Sequence, residues 1–191
     1  MAQIFGNFIN DLPVSDEYLV ISFSPNSVAR NHRWINYGLS ADFLGDYFAN
    51  FFPGEEIPNS YINRQDTVKA SISYVANELL ENAMKFSDTS ANVPVNISLH
   101  LYENQLFILV SNVSEKSVVH TYQLFIEKII NLPIQDLYIQ QLESTASNSQ
   151  VSHMGLLTLI HDYEVDFGWK FEPLAAEKQF IKVNVMANLK F

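Results

Sequence analysis

Positions 78–87 read Glu-Leu-Leu-Glu-Asn-Ala-Met-Lys-Phe-Ser, and this stretch predicts both a helix and a cleft beside it. Glu78, Asn82 and Lys85 recur at i, i+4 and i+7, so on a helix they share one face. About a quarter-turn away runs an apolar stripe, formed by Val68, Ile72, Val75, Leu79 and Ala83. We therefore expect one edge of the helix to enter a core. The neighbouring edge, with its carboxylate, amide and cation, suits a metal-bound polyphosphate.

The same polar band has a simpler interpretation as a solvated helix face. Glu81 and Lys85 are spaced i, i+4, which is the spacing of ordinary ion pairs on helix surfaces. Taken alone, the stretch leaves both interpretations open.

A second segment, at positions 152–160, reads Ser-His-Met-Gly-Leu-Leu-Thr-Leu-Ile and opens an apolar helix after a Ser-rich stretch. Backbone N–H groups at a helix N-terminus favour an anion, and Gly155 permits close approach of a ligand to the backbone. The alternative is a buried helix that Ser152 merely caps.

Positions 78–86 resemble the N-box of the Bergerat-type, or histidine-kinase-like, ATPases, whose pattern is Glu-x-x-x-Asn-Ala-x-Lys followed by an aromatic residue or His. The resemblance implies that Asn82 ligates Mg²⁺, Glu78 acts as the catalytic base and Lys85 approaches phosphate. The second segment resembles the G-box of these proteins, with Gly155 and Leu156 as its final Gly-Leu. By this resemblance Ser152, Gly155 and Leu156 contact the phosphates of Mg-ATP.

The chain departs from the superfamily after the strand that follows the N-box. There the family carries Asp-x-Gly-x-Gly, whose Asp reads the adenine amino group, whereas positions 111–114 here read Ser-Asn-Val-Ser. Asn112 can still accept a hydrogen bond from an exocyclic amine, without contributing charge. The stretch 113–154, where the ATP lid is expected, contains no glycine.

Within the superfamily the chain is most similar to small stand-alone signalling proteins related to anti-sigma-factor kinases, in particular the SiaB-like group. That resemblance implies a bacterial signal-transduction protein that phosphorylates Ser or Thr of a small STAS-type partner in a partner-switching circuit. Homodimerisation is common among these relatives. Two alternatives stay open: an inactive, degenerate member that serves as a protein-binding module, and a sensor that uses the former ATP cleft for another small ligand.

The overall composition supports a protein partner. The net charge of −10 argues against nucleic acid and anionic membranes, which select basic patches. No apolar run approaches the length of about 18 residues that a membrane helix needs, and the N-terminus lacks a basic n-region, so we expect a cytoplasmic protein. The absence of cysteine excludes disulfides and thiolate chemistry.

The order of elements predicts a two-layer α/β sandwich, with a mixed sheet covered on one face by helices. We expect one Bergerat-like ATPase domain over residues 16–190 within the single domain 1–191, and treat residues 1–15 as an N-terminal extension. Strands are predicted at 17–23, 94–102, 105–111, 163–172 and 178–188, with a two-residue hairpin turn at 103–104. Helices are predicted at 27–52 (broken near Gly38 and Gly45), 65–87, 118–130, 133–145 and 154–161.

Overall fold

The computed structural model describes residues 1–15, 17–24, 33–52, 63–147, 154–174 and 179–191, with the backbone alone at 33–36 and 144–147. Strands and helices follow one another as β1 (Gln3–Gly6), β2 (Glu17–Phe23), α1 (Arg33–Ala49), α2 (Arg64–Lys85), β3 (Val95–Tyr102), β4 (Gln105–Glu115), α3 (Lys116–Asn131), α4 (Ile134–Ser147), α5 (Met154–His161), β5 (Asp166–Pro173) and β6 (Phe180–Lys190). A short 3-10 helix, Thr89–Ala91, lies between α2 and β3. Among these residues, no helix is long and apolar enough to cross a membrane.

The strands form one six-stranded sheet in the order β1-β5-β6-β4-β3-β2. All five pairings are antiparallel, so the described sheet is antiparallel throughout instead of mixed. The strands β4 and β5, which the connection through α3, α4 and α5 joins, are parallel to each other, but β6 lies between them and is antiparallel to both. The two-layer sandwich predicted from the sequence is confirmed, and so is the 103–104 turn between β3 and β4.

Alternating residues of the sheet face the helices and form the main core. In β4 these are Leu106, Ile108 and Val110, all at most 2% exposed. The same core takes in the stripe of α2 that the sequence predicts: Val68, Ile72, Val75, Leu79 and Ala83 are all buried. The apolar stripe of α2, which repeats at helical spacing, packs against the buried residues of β4, which alternate at strand spacing. The helix layer thus covers one face of the sheet.

The ends of α2 follow from local sequence. Asn63 caps the helix by accepting a hydrogen bond from the Gln65 backbone N–H at 3.1 Å. Asp66 lies in the first turn and Lys85 in the last, where each charge complements the helix dipole. Both ends of α2 are therefore stabilised by residues at its own termini, while its buried stripe decides which side chains face the cleft.

Helix α1 runs unbroken from Arg33 to Ala49, although its two glycines suggested a break near Gly38 and Gly45. Gly45 faces α2, where a methyl group would lie 2.9 Å from the Lys69 carbonyl oxygen and 3.2 Å from Cβ of Ser73. Packing against α2 thus keeps the helix continuous and makes a small residue necessary at this position. The predicted helical segment at 27–32 lies outside the described residues. The segment at 50–52 lies beyond the end of the helix.

The first fifteen residues contribute directly to the sheet. Residues Gln3–Gly6 form β1, an edge strand antiparallel to β5 that the sequence analysis did not predict. Beyond it the chain passes over the sheet face opposite the helices: the Asn7 and Phe8 backbone lies against Gly168, and the Tyr102 hydroxyl donates to the Pro13 carbonyl at 2.6 Å. A four-residue strand bounded by polar residues carries almost no periodic signal, and only the β5 edge gives it partners.

Candidate functional site

A cavity of about 740 Å³ lies between α2, the sheet, α3 and the start of α5. Six of the seven site residues predicted from the sequence line it: Glu78, Asn82, Lys85, Asn112, Gly155 and Leu156. The seventh, Ser152, is outside the described residues. Residues that are up to 78 positions apart along the chain therefore meet at one cleft.

Glu78 is half-buried on the cavity wall, with its carboxylate close to Gly155 at the beginning of α5. A methyl group on Gly155 would lie 2.8 Å from the Glu78 carboxyl carbon. The observed position of this carboxylate therefore requires glycine at residue 155. Burial, with a smaller contribution from the charge of Glu81, raises the pKa of Glu78. A carboxyl group with a raised pKa is suited to accept a proton from a hydroxyl.

A second contact holds α5 against α2 near Glu78. The Tyr74 side chain stacks on Tyr163, with ring centroids 4.9 Å apart, and hydrogen-bonds Thr158 of α5. Burial, followed by the nearby Glu78 carboxylate, raises the pKa of Tyr74, which therefore remains a neutral phenol at physiological pH. This contact keeps Gly155 next to Glu78.

Asn82 and Lys85 lie further along the same face of α2. The Asn82 side-chain amide makes no hydrogen bond to the described residues, and the Lys85 ammonium lies 5.4 Å from the centre of the Phe86 ring. No salt bridge joins Lys85 to Glu81, whose carboxylate instead accepts a hydrogen bond from Asn77 at 3.0 Å. The ion pair of the simpler interpretation is therefore not formed.

The sheet side of the cavity differs from the sequence prediction. We expected β4 to end at residue 111, with Asn112 at the strand end, but the strand continues to Glu115 in unbroken pairing with β6. The extension arises because β6 offers partners as far as Phe180, a long-range pairing that the local sequence of β4 does not reveal. Asn112 and Ser114 consequently lie two residues apart on one strand, both buried and both facing the cavity.

The sequence analysis missed Ser114 and the cavity wall supplied by α3. Ser114 is 2% exposed, and its hydroxyl has no hydrogen-bond partner in the described part of the chain. On α3, Val119 and Tyr122 line the cavity, and the Tyr122 hydroxyl accepts a hydrogen bond from the Trp169 indole N–H at 2.9 Å. Period-two alternation beyond Asn112 was the signal that would have placed Ser114 on the same face.

The residues present fit a magnesium nucleotide. The volume lies within the range of about 300–1,000 Å³ typical of small-molecule sites, and the walls are mainly apolar with a few polar groups. No group of three or more His, Cys, Asp or Glu in the described chain could hold a metal by itself. Mg²⁺ would therefore depend on the Asn82 amide oxygen together with phosphate and water oxygens, which suits an ion that keeps much of its hydration shell.

Comparisons with known proteins identify the fold alone. No family model matches this chain, and no curated protein matches it. Among solved structures, a chain in the crystal structure of the SiaB–SiaC complex from Pseudomonas aeruginosa is similar, with a TM-score of 0.59 and 12% sequence identity. The match covers 90% of this chain and 89% of that one. The protein thus has the two-layer α+β sandwich fold of that chain.

Proposed function

We propose that this protein is a signalling protein of the partner-switching type that uses Mg-ATP to phosphorylate Ser or Thr of a small STAS-type partner. The observation that carries the proposal is the convergence of Glu78, Asn82 and Gly155 on one cavity, with Lys85 at its rim. A purely structural domain has no need to assemble a half-buried carboxylate, an amide without a hydrogen-bond partner among the described residues and a glycine-bordered helix start around one cavity.

Each residue has a distinct part in the proposed reaction. Glu78 would accept the proton of the attacking hydroxyl, because its raised pKa brings its basicity towards neutral pH. Asn82 would hold Mg²⁺, which when bound neutralises phosphate charge. The backbone at Gly155 and Leu156 opens α5 and would favour the phosphate groups, with Lys85 adding positive charge.

A protein partner is consistent with the structural comparison. The similar chain was crystallised as a complex of SiaB with SiaC. The charge of −10 here favours a partner with a basic contact surface. We extend to this chain the small STAS-type partner that the sequence resemblance implies, and likewise the homodimer and the cytoplasmic location.

Thermal unfolding with and without Mg-ATP and Mg-ADP tests nucleotide binding directly. At a hundred times its dissociation constant a ligand adds about 2.7 kcal/mol to stability, which raises the midpoint of a domain of this size by roughly 5–10 °C. We expect the rise to require Mg²⁺ and to be lost in Asn82→Ala. The matched control is Asn77→Ala, the same change on the same helix outside the cavity lining, which should keep the rise. No shift in the wild type at millimolar nucleotide would contradict the proposal.

Transfer of phosphate tests the role of Glu78. With radiolabelled ATP and a STAS-type substrate, Glu78→Gln should lower the transfer rate by about 10²–10⁴-fold, the usual contribution of a general base. Its Mg-ATP affinity should change little, since Gln preserves the shape of the side chain. Equal transfer rates in variant and wild type would remove Glu78 from the mechanism.

One observation favours a second candidate, a protein-binding module without catalysis. In the described chain β4 continues through Asn112 to Glu115 as a regular strand, so the adenine-reading loop that the resemblance implies is not formed at this place. For such a module, Glu78→Gln and Asn82→Ala would leave partner affinity unchanged with or without nucleotide. Titration of the partner by calorimetry separates the two candidates.

A further inference from the structure

The edge of the sheet at β2 has no strand beside it among the described residues. β2 is the last strand in the sheet order, and in the described chain it pairs with β3 alone. Its seven residues include no proline, lysine or glycine, and its pairing with β3 runs over the whole strand without a bulge. Proteins use such residues and bulges to protect a free edge, because its unpaired backbone groups otherwise bind another strand. The β2 edge thus has the features of an edge that pairs with a strand of another molecule.

Helix α1 carries an apolar row beside this edge. Leu39, Phe43 and Tyr47 recur at i, i+4 and i+8, so they follow one another along the helix. Leu39 is 62% and Phe43 51% exposed, and the Tyr47 hydroxyl donates to the Glu17 carboxylate at the start of β2. The row therefore lies on the β2 side of α1, where a molecule added at the sheet edge would cover it.

The exposed apolar surface around the edge is large enough for a specific interface. Tyr18 and Val20 of β2 are 58% and 56% exposed, and Phe51, whose ring lies 5.7 Å from that of Tyr47, is 44% exposed. An aromatic side chain buries about 150–250 Å² in all, so each half-exposed residue leaves on the order of 100 Å² to cover. Two copies of these three residues and of the two exposed residues of α1 would remove on the order of 1,000 Å² from water, the area that a specific interface needs.

The β2 sequence is complementary to itself. In an antiparallel pair of β2 strands with Val20 opposite Val20 of the second copy, Leu19 lies opposite Ile21. The one charged residue of the strand, Glu17, lies opposite Phe23. No like charges therefore face each other, which matters for a chain with a net charge of −10. A twofold axis through Val20 also keeps both helix layers on the same face of the sheet and brings the two α1 helices side by side.

We propose that two copies of this chain pair antiparallel through β2, centred on Val20, with the apolar rows of their α1 helices packed against each other. Each copy supplies six strands, so the dimer would contain one continuous twelve-stranded sheet. The inference rests on the homodimer included in the proposed function and assigns its contact surface. It does not depend on the nucleotide chemistry.

Cross-linking through one introduced cysteine tests the position of the twofold axis. The chain has no cysteine, so Val20→Cys places a single thiol on each copy. Opposed residues of an antiparallel pair have Cα atoms about 4.5–5.5 Å apart, within the span of about 4.4–6.8 Å that a disulfide bridges. We expect mild oxidation to convert Val20→Cys into a covalent dimer. Leu124→Cys, at a 48% exposed position of α3, controls for chance collisions and should stay uncross-linked. A folded Val20→Cys variant that cross-links no more than this control overturns the inference.

Sedimentation of the full chain at micromolar concentrations tests the contact itself. We expect the wild type to be dimeric, and Val20→Lys and Val20→Glu each to raise the dimer dissociation constant more than tenfold, because like charges then face each other. An equimolar mixture of these two variants should restore the dimer, since opposite charges then meet. Leu124→Lys makes the same kind of change outside the proposed surface and should remain dimeric.

The outcomes separate this inference from the nucleotide function. A monomeric wild type removes the homodimer and the inference together, whereas the thermal shift with Mg-ATP tests the nucleotide function independently. A dimer that tolerates Val20→Lys and Val20→Glu overturns the inference and leaves the homodimer standing. A dimeric wild type that loses the contact in both variants, but fails to regain it in their mixture, overturns the centring on Val20.

Discussion

At the scale of single residues, the chemistry of the site depends on one close approach. Glu78 of α2 and Gly155 of α5 are in contact because Gly155 has no side chain, and the enclosure that results raises the pKa of the Glu78 carboxyl. Neither residue is unusual by itself. Their proximity turns an ordinary helix-face acid into a candidate base.

The first prediction concerns the pH dependence of stability. Because the pKa of Glu78 is raised in the folded state, ionisation of this carboxyl lowers the stability of the protein. The loss of stability is absent below pH 4.5, the ordinary pKa of the group, and is complete at a pH above the raised pKa. Glu78→Gln removes this cost, so its unfolding midpoint should exceed that of the wild type by a few degrees at neutral pH. The difference should shrink as the pH falls toward 4.5.

Thermal unfolding across this pH range measures the effect. Glu103→Gln, on the exposed turn between β3 and β4, controls for the loss of one negative charge. A difference between Glu78→Gln and wild type that stays constant with pH would argue that burial does not perturb this carboxyl.

The second prediction concerns Gly155→Ala. The added methyl group meets the end of the flexible Glu78 side chain, which can rotate away, so we expect the unfolding midpoint to stay within about 2 °C of wild type. The displaced carboxylate and the methyl group then occupy space at the start of α5, and Mg-ATP affinity should fall about tenfold. Gly38→Ala, at a position that does not line the cavity, should keep wild-type affinity. A large stability loss in Gly155→Ala would instead indicate that Glu78 is rigidly held.

At the scale of elements, α2 is the centre of the molecule. Its apolar stripe enters the core, its polar band faces the cavity, and its third side packs against α1. The α1–α2 contact is close because Gly45 and Ser73 are small. The Ser73 hydroxyl is buried there without a hydrogen-bond partner in the described chain, so this contact is maintained by packing.

The third prediction uses the two glycines of α1 as a matched pair. Outside the neighbouring turns of α1, no heavy atom of the described residues lies within 4 Å of a methyl group on Gly38, so Gly38→Ala should stabilise the protein by about 0.5–1 kcal/mol through helix propensity. Gly45→Ala places its methyl group against the α2 backbone and should destabilise by about 1–3 kcal/mol. Urea unfolding of both variants measures the difference. Equal effects of the two substitutions would contradict the observed α1–α2 packing.

At the scale of the whole molecule, the N-terminal residues close the sheet at the β5 edge. Phe5 packs edge-to-face on Phe171, with centroids 5.7 Å apart, and Gln3 accepts a hydrogen bond from Gln123 of α3 at 2.9 Å. α3 forms one wall of the cavity through Val119 and Tyr122. Through Gln3, β1 therefore contacts the helix that forms one wall of the cavity.

The fourth prediction follows from this arrangement. Deleting residues 1–6 removes the β1 pairing and the Phe5 contact, and should lower stability by about 2 kcal/mol, or roughly 4–8 °C in midpoint. Hydrogen exchange should speed up at the β5 amides and leave β3 unchanged, since β3 lies between β4 and β2. Gln3→Ala, which removes one exposed hydrogen bond, is the control and should change the midpoint little. Unchanged protection of β5 in the deletion variant would show that β1 does not close this edge.

Elements with strong periodicity could be predicted from the amino-acid sequence. The α2 stripe, the polar band of Glu78, Asn82 and Lys85, the β3–β4 hairpin and the α5 segment at Gly155 could all be predicted, because helix and strand periods are local properties of the chain. The structure confirms these elements and brings the polar band to a cavity. The roles of its residues remain predictions.

Other features depend on contacts between segments that are distant along the chain. The length of β4 depends on β6, the strand β1 depends on the β5 edge, and the continuity of α1 depends on contact with α2. Ser114 lines the cavity because the pairing with β6 extends β4 as far as Glu115. Each of these features arises from pairing or packing between distant segments, whose free energy outweighs weak local preferences. The apposition of Glu78 and Gly155, 77 residues apart, is likewise a property of the folded molecule and not of either segment.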